Sequence, residues 1–545
     1  MKTKQILIIL PIIFFLFLAV NFVFVSSKAR PGENQLIIGS IGDASFLNPI
    51  LAQDSSSGSV NGFIFNGLLK YNEELQLTGD LAKSWTVIES PQPQITFALR
   101  KDIKWHDGHP FTSHDVLFTY KKIMDKKTNT VRRSDFELVK SVIAIDPYTV
   151  QINYKEPFSP ALDTWTIGII PEHILKGENI NTALFNRSPI GTGPFKFDLW
   201  VSDEKIVLVA NDDYFEGKPN LDRIVFRIIP ETSLTEIELL TGGIDYSSIF
   251  PHQYKRMKQH TQLKLYREPS LGYTYIGYNI ENPLFRDKLV RQALTCAIDR
   301  EKILKYVLYN LGQIATGPFP NHMWYADSGV RPFPYDPEMA KGLLRKAGWL
   351  DTDGDGIIDK DGKPFSFHLI TNSGNETRSD VGVLVQRYFR EIGIDVDFQI
   401  YEWSVFLKNF INSRHFDACI LGWSLSVDPD AYNIWHSSQI KDGFNFIGYK
   451  NQEVDRLLVE GRRAYDIERR KLIYNKIHQL INEDQPYTFL FVADSIPALS
   501  TKFKRLKKSS GGKPTFYPIE MTKGGLLFNI HEWAIPRYTS MSTYP

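Results

Sequence analysis

The sequence predicts an α/β protein with more than one hydrophobic core, and three observations support this prediction. Short segments with the alternating pattern of β-strands interleave with segments whose apolar residues recur at helical spacing. The chain has 545 residues, of which 43% are hydrophobic and 13% aromatic, whereas a single core stops growing near ~250 to 300 residues. No internal repeat of solenoid length is visible. We therefore expect several packed units of strands and helices.

The first residues are expected to carry an export signal. Lys2 and Lys4 precede an apolar run over residues 6–25, and Ser27-Lys28-Ala29 offers small residues where a signal peptidase cuts. The run is longer than the ~7 to 15 residues of a usual signal core and close to the ~20 that span a bilayer. Residues 1–29 are therefore predicted to be a signal peptide or an N-terminal membrane anchor. The body is expected to be periplasmic or extracytoplasmic, and anchored to the inner membrane if the segment stays uncleaved.

Charge, cysteine content and motifs exclude several classes of protein. Lys and Arg total 63 against 62 Asp and Glu, so no global field recruits nucleic acid. Cys296 and Cys419 are the two cysteines; a single bridge between them stays open, and two buried free thiols are expected. The chain has neither a GxSxG nor an HExxH motif. We therefore expect no enzyme activity and no nucleic-acid partner.

The expected elements follow one another with polar turns between them. In the first half they are a strand at Gln35–Ser40, a helix at 57–69, a strand at 95–100, a helix at Ser113–Met124 capped by Thr112 or Ser113, and a strand at Thr149–Tyr154. In the second half they are an aromatic strand from Gly272, a helix across 289–298, a helix at 335–349 that starts at Asp336 and Pro337 and ends at Gly348, a helix at 380–392, a strand at Asp395–Tyr401, a helix at 467–483 and a strand at 487–494.

Two short motifs favour structural over chemical roles. Gly191 and Gly193 in a GTGP sequence are expected to allow backbone angles that other residues avoid, and no Lys-Ser/Thr follows them as in a phosphate loop. The histidines His106, His109 and His114 surround a tight turn, and this cluster lacks a carboxylate or cysteine at metal-ligand spacing. We interpret the first motif as a structural hinge and the second as a turn before a helix.

The segment DTDGDGIIDKDG carries half of a calcium-loop pattern. Asp351, Asp353, Asp355, the carbonyl of Ile357 and Asp359 stand at loop positions 1, 3, 5, 7 and 9. A glycine occupies position 12, where a bidentate glutamate closes an EF-hand site. Two alternatives stay open, a structural calcium ion completed by a distant carboxylate or an acidic, glycine-rich β-turn without metal. No other cofactor is expected.

Several blocks in register resemble family 5 of the bacterial extracellular solute-binding proteins, the oligopeptide, dipeptide and nickel binders of ABC importers. They are LAKSWTVIESPQPQITFALRKDIKWHDGHPFTSHDVLFTY from Leu81, SPIGTGPFKFDLW from Ser188, NDDYFEGKPNLDRIVFRIIPE from Asn211, GYTYIGYNIENPLFRDKLVRQALTCAIDREKIL from Gly272 and ACILGWSLSVDPDAYNIWHSSQ from Ala418. Each block is modest by itself. In this order they resemble the family over nearly the whole body of the chain.

The resemblance implies a periplasmic binding protein-like fold of class II (cluster C), with two lobes, a hinge and three domains. The implied domains are I at 34–56, 190–270 and 485–545, II as an insertion at 57–189, and III at 271–484. It further implies a monomer that captures a peptide or other small solute between its lobes and delivers it to the permease subunits of an ABC transporter. The alternatives are a membrane-anchored sensor or chaperone of the same fold, and a binder of a metal chelate or sugar.

The resemblance also indicates where the ligand lies, with one departure. In peptide-binding relatives a Trp is followed three positions later by an Asp that pairs with the ligand's α-ammonium. Here Trp423 and Asp428-Pro429-Asp430 match, but Ser426 replaces that Asp. Either Asp428 or Asp430 takes the ammonium, or the ligand has no free amine, because an uncompensated buried charge is costly. The expected ligand-binding residues are Asp43, Ser45, Phe46, Ser55, Tyr275, Tyr278, Asn279, Trp423, Ser424, Ser426, Asp428 and Asp430.

Overall fold

The computed structural model describes residues 34–507 and 515–536. The export segment expected at 1–29 lies outside these residues. Within the described ranges, no helix combines the length and apolar character needed to cross a membrane.

The two larger sheets of the first lobe share one hydrophobic core. Seven strands form its larger sheet, in the order Leu263–Leu265, Pro497–Ser500, Tyr246–Ser248, Gln35–Ser40, Arg223–Ile228, Lys205–Ala210 and Phe195–Val201. A four-stranded antiparallel sheet has the order Ala82–Ile88, Gln94–Leu99, Thr149–Tyr154 and Val139–Asp146, with the helix Ser113–Met124 packed on it. Buried side chains of both sheets belong to a single apolar cluster. The segment expected as domain II therefore shares its core with the larger sheet.

The second lobe is built on another seven-stranded sheet with helices on both faces. Its strands run in the order Glu268–Pro269, Tyr487–Ser495, Gly272–Tyr278, Ala418–Ser424, Ser366–Asn372 and Asp395–Tyr401, and Gly312–Ile314 pairs beside Tyr487–Ser495. The longer helices are Lys288–Cys296, Arg300–Tyr306, Pro337–Lys346, Glu376–Glu391, Gln452–Arg463 and Ile467–Asp484. The sheet separates two apolar clusters, one on each of its faces. Cys296 and Cys419 are buried here as free thiols, and burial raises their pKa values to about 11 and about 12.

The expected boundary between domains III and I at residues 484 and 485 is wrong. Tyr487–Ser495 pairs with Gly272–Tyr278 and so belongs to the second lobe. Its first six side chains are all buried. A strand with buried side chains on both faces lies inside a sheet whose two faces are both covered by other elements. The chain returns to the first lobe only at Pro497–Ser500, which pairs with Tyr246–Ser248.

Most expected elements are confirmed, and several differ at their ends. Gln35–Ser40, Ser113–Met124 with its Thr112 cap, Thr149–Tyr154 and Asp395–Tyr401 have the expected bounds. The helix expected at 57–69 spans Ser55–Ile64, because Leu68 N bonds to Trp165 O at 2.9 Å and the chain there is extended. The helix expected at 380–392 begins earlier, at Glu376, where the Asn375 side chain caps it.

The glycines of the GTGP motif are required for a different reason from the one expected. Neither Gly191 nor Gly193 adopts a left-handed backbone conformation. A Cβ atom on Gly191 would instead lie 1.9 Å from Ile64 O, and one on Gly193 would lie 2.5 Å from Phe63 O. The motif therefore packs its backbone directly against the end of the helix Ser55–Ile64, and only glycine leaves room for this contact.

Candidate functional site

The two lobes touch each other around Arg462 of the second lobe. Its guanidinium is 2% exposed and donates across the cleft to Ser134 O at 3.2 Å. In the opposite direction, Ser159 N donates to Arg462 O at 2.6 Å. Asn433 adds a third link, because its amide donates to Asp135 Oδ1 at 2.6 Å. These hydrogen bonds hold the segment that was expected as domain II against the second lobe.

A second contact between the lobes lies beside the larger sheet of the first lobe. His252 Nε2 is 3.4 Å from Glu376 Oε2 at the start of a second-lobe helix. Nearby, a Cβ atom on Gly42 would lie 3.3 Å from Cδ1 of Trp403. Since the lobes meet at both places, the structure has the closed arrangement of a two-lobed fold, and the region between the two contacts is here called the cleft.

Aromatic rings form the second-lobe wall of this cleft. Trp423 is partly buried, and its ring is nearly parallel to that of Tyr275 at 6.4 Å between centroids. Tyr487 stacks on Tyr275 at 3.8 Å and accepts a hydrogen bond from Trp423 Nε1 at 3.3 Å. Phe444 and Phe446 flank the indole at 5.3 and 5.7 Å. The indole is therefore fixed on one side and partly accessible on the other, as a ligand platform requires.

Two residues expected in the cleft, Tyr278 and Asn279, are instead hydrogen-bonded within the second lobe. Tyr278 is fully buried, and its hydroxyl shares a 2.8 Å hydrogen bond with Thr488. Asn279 donates its amide to Phe416 O at 2.9 Å and so fixes a loop. Tyr275 is also fully buried, and burial raises its pKa well above the usual value. It supports Trp423 from behind and presents no exposed surface of its own.

Asp428 and Asp430 are both occupied by arginines, so neither offers a free carboxylate. Arg470 forms a bidentate pair with Asp428, at 2.8 Å for each hydrogen bond. Arg462 Nε contacts both oxygens of Asp430, at 3.1 and 2.9 Å. Both carboxylates are bound within the protein in this arrangement, and the expectation that one of them takes a ligand ammonium stays a prediction. Ser426 is exposed and donates to Asp428 O at 3.0 Å, and Ser424 is exposed beside it.

A largely buried carboxylate of the first lobe, that of Asp163, also lies near these residues. The Tyr71 hydroxyl donates to it, and no Lys, Arg or His of the described residues forms an ion pair with it. Burial, followed by the negative charges of Asp428, Asp430 and Asp135, raises the pKa of Asp163 to about 7. Nothing in the sequence marks this residue, because ALDTW matches no motif and the residues near Asp163 in space are distant in the chain.

The loop of the first lobe that was expected to contact ligand is held by internal hydrogen bonds. Asp43 accepts from Trp200 Nε1 at 2.9 Å and from Asp203 N at 3.1 Å. The backbone N–H groups of Ser45 and Phe46 donate to Ser57 Oγ, at 2.8 and 3.1 Å. Ser45 and Phe46 keep exposed side chains, as does Ser55 at the start of the following helix. The structure thus positions this loop firmly and leaves three of its expected contact residues accessible.

The histidine cluster is arranged differently from its order in the sequence. His106 is bound within the first lobe, since its Nε2 lies 3.0 Å from Gly193 O and Gly191 N donates to its Nδ1 at 3.1 Å. Burial lowers its pKa to about 4. Asp107, His109 and His173 instead form a surface group whose ligand atoms lie within 4.8 Å of one another.

The calcium loop stays a prediction. Side-chain oxygens of Asp351, Asp353 and Asp355 lie within 4.8 Å of one another. Asp359 Oδ2 accepts hydrogen bonds from Thr352 N at 2.9 Å and from Thr352 Oγ1 at 2.7 Å. Ile357 is largely buried, and its N–H donates a hydrogen bond to Asp355 Oδ1 at 2.7 Å. The same oxygens therefore serve a network of turns that is complete without an ion.

Comparisons with known proteins agree with this geometry. Residues 76–445 match the model of the bacterial extracellular solute-binding proteins, family 5 Middle. The chain is 39% identical to the oligopeptide-binding protein AppA of Bacillus subtilis over 497 residues, which cover 88% of this chain and 91% of AppA. It is 29% identical to a putative ABC transporter peptide-binding protein of Brucella ovis, over 84% of this chain and 86% of that one.

Solved structures show the same similarity. AppA from Bacillus subtilis in complex with a nonapeptide superposes with a TM-score of 0.86 at 38% identity, covering 92% of this chain and 98% of that one. NikZ from Campylobacter jejuni in complex with Ni(L-His) superposes with a TM-score of 0.82 at 30% identity, covering 92% and 99%. The two-lobed binding-protein fold is thereby confirmed.

Proposed function

This chain belongs to family 5 of the bacterial extracellular solute-binding proteins, and from this premise we propose that it is the peptide-binding component of an ABC importer. The observation that carries the proposal is the similarity to AppA, an oligopeptide-binding protein solved with a nonapeptide, over nearly the full length of both chains. The relative from Brucella ovis, described as a putative ABC transporter peptide-binding protein, supports the same role.

The geometry fits capture and release better than catalysis. The cleft combines one accessible indole, Trp423, with exposed serines and ordered loops. Extended peptides are recognised mainly through their backbone, so a receptor built this way tolerates many side chains. Ligand that contacts both lobes stabilises the closed form, which is the form that a permease distinguishes from the open one. We infer that the peptide leaves unaltered and that the protein has no enzyme activity.

A nickel chelate is the second candidate ligand, because NikZ with bound Ni(L-His) is also similar over nearly the whole chain. Native mass spectrometry of protein purified from the cells that make it separates the two candidates. A ladder of bound masses that sequence as peptides supports the proposed function. A single bound mass with the isotope pattern of nickel supports the second candidate, and a sugar or no bound mass contradicts both.

We further propose that the protein acts as a monomer outside the cytoplasmic membrane, in contact with permease subunits. The family to which it belongs is extracellular, and residues 1–29 are the proposed signal or membrane anchor. Mass spectrometry of the mature N-terminus, read in membrane and soluble fractions, distinguishes cleavage from anchoring. Light scattering of the purified chain tests the monomer.

A further inference from the structure

A carboxylate and two imidazoles of the first lobe meet on its surface, and none of the three belongs to the residues expected in the cleft. Asp107 Oδ2 lies 2.8 Å from His173 Nε2 and 3.3 Å from His109 Nδ1. The two imidazole rings stack, with 4.1 Å between their centroids and 22° between their planes. One oxygen and two nitrogens therefore lie within 4.8 Å of one another, although His173 follows Asp107 by 66 residues in the chain.

This set of ligand atoms suits a first-row transition metal. Imidazole nitrogen is a common protein ligand of Zn²⁺, Cu²⁺ and Ni²⁺, and a carboxylate oxygen completes many such sites. A metal ~2.0 to 2.2 Å from each ligand atom holds neighbouring ligand atoms ~2.8 to 3.6 Å apart in octahedral or tetrahedral geometry. The distances of 2.8 and 3.3 Å at Asp107 Oδ2 fall in this range. Ca²⁺ and Mg²⁺ prefer oxygen ligands, so two imidazoles disfavour them.

The loop that carries Asp107 and His109 has a fixed conformation. Trp105 N donates to His109 O, and Gly108 N donates to Trp105 O, each at 2.8 Å. Asp107 Oδ1 accepts from His109 N at 3.1 Å, so Oδ2 is the oxygen directed at the imidazoles. His106, in the same loop, is bound to the backbone of the GTGP motif. The loop thus holds two of the three ligand side chains in place.

His173 is positioned by buried residues that also contact this loop. Its short helix, Glu172–Leu175, begins where Glu172 N donates to Asp115 Oδ1 at 3.0 Å. Asp115 is 4% exposed, and its Oδ2 accepts from Trp105 Nε1 at 3.4 Å. The Trp105 ring lies beside His173, with 6.1 Å between centroids. Asp115 and Trp105 therefore join the helix to the loop, and the ligand side chains are held in position by the fold, as a metal site requires.

The second imidazole distinguishes this group from an ordinary surface ion pair. An aspartate and one histidine suffice for an ion pair, whereas here a second ring approaches the same carboxylate oxygen. The exposed fractions of the side chains are 24% for His173, 26% for Asp107 and 59% for His109. An ion can therefore enter from solvent on the His109 side, and water can fill its remaining coordination positions.

We propose that Asp107, His109 and His173 bind a divalent first-row transition-metal ion. The ion ties the loop 105–109 to the helix Glu172–Leu175 and stabilises the first lobe, because it binds the folded chain. This inference goes beyond the proposed function and does not depend on the ligand held in the cleft. Of the three histidines that the sequence groups together, His109 belongs to the site, and folding adds His173 from a distant segment.

Isothermal titration calorimetry with ZnCl₂ tests the proposal on full-length protein that has no affinity tag and has been treated with a chelator. The variants are His109→Asn, His173→Gln and His114→Asn. His114 is exposed at the start of the following helix and lies outside the group, so it is the matched control. Melting temperatures in the presence of EDTA establish that each variant is folded.

The wild type is expected to bind one Zn²⁺ per chain at its tightest site. His109→Asn and His173→Gln should each weaken this binding by at least about tenfold, because each removes one of three ligands, and His114→Asn should leave it unchanged. Zn²⁺ should raise the melting temperature of the wild type and of His114→Asn more than that of the other two variants. No tight binding by the wild type, equal affinity in His173→Gln, or an equal loss in His114→Asn would overturn the proposal.

Saturation with a library of nonapeptides separates this site from the cleft. The affinity for Zn²⁺ should be the same with and without bound peptide. Zn²⁺ that peptide displaces would lie in the cleft and would overturn the assignment to these three residues. A chain that binds Zn²⁺ at these residues and binds no peptide would support this inference and contradict the proposed function.

Discussion

The titration of Asp163 has a consequence for stability in the absence of ligand. Its carboxyl has an ordinary pKa of 3.8 and a pKa of about 7 in the folded protein. A raised carboxyl pKa means that the folded state binds a proton that the unfolded state releases. Folding free energy is therefore lost as pH rises from about 4 to about 7, and no further loss occurs above that range.

The magnitude follows from the size of this shift. A difference of about 3 units, at ~1.4 kcal/mol per unit, sets an upper value near ~4 kcal/mol, and partial solvent access reduces it to ~2 to 4 kcal/mol. Asp163→Asn keeps the shape of the side chain and removes the titration. Relative to the wild type, the variant should thus gain ~2 to 3 kcal/mol between pH 4.5 and 7.5.

Thermal unfolding of ligand-stripped protein at pH 4.5, 5.5, 6.5 and 7.5 measures this gain. For a cooperative unit of ~150 to 250 residues, the melting temperature of Asp163→Asn should rise by about 5 to 10 °C relative to the wild type over this range. Asp212→Asn, at an exposed site, should show a constant difference. If the difference for Asp163→Asn is also independent of pH, the carboxylate is not buried among negative charges and the reasoning fails.

Three further predictions concern the cleft and its support. Trp423→Ala should weaken the binding of a library of nonapeptides with free α-amino groups by more than ~1.4 kcal/mol, a tenfold change in the dissociation constant. An unchanged dissociation constant removes this indole from the site. Asp428→Asn should destabilise the fold by ~3 kcal/mol because it leaves buried Arg470 without its carboxylate. Glu453→Gln, in an exposed pair, should leave the melting temperature nearly unchanged, and equal melting temperatures of the two variants contradict this. Gly191→Ala should lower the yield of folded protein, since its Cβ would lie 1.9 Å from a carbonyl oxygen, and normal expression with an unchanged melting temperature refutes the steric argument.

Local patterns in the sequence were sufficient for elements whose stability is local. The helix Ser113–Met124 is defined by its apolar spacing and by the Thr112 cap, and both are visible in the sequence. Membership of a sheet is not local. Tyr487–Ser495 is recognisable as a strand, but its pairing with a segment about 210 residues earlier in the chain decides which lobe it joins. The expected domain boundary failed for this reason.

The site was predictable only where a family motif marks it. Trp423 follows from the resemblance and lies in the cleft wall. The partners of Asp428 and Asp430 come from helices that begin more than twenty residues later, so the sequence could not show that both carboxylates are occupied. Asp163 matches no motif, and its significance depends on charges that folding brings together from both lobes.

The central claim is tested most directly by equilibrium binding of a library of nonapeptides with free α-amino groups. Native mass spectrometry then measures the mass of the complex and the masses of the released peptides. The account predicts one peptide per chain and release of every peptide with its mass unchanged. A chain that binds no peptide, or that releases shortened fragments, would contradict a receptor that captures peptides between its lobes and passes them on intact.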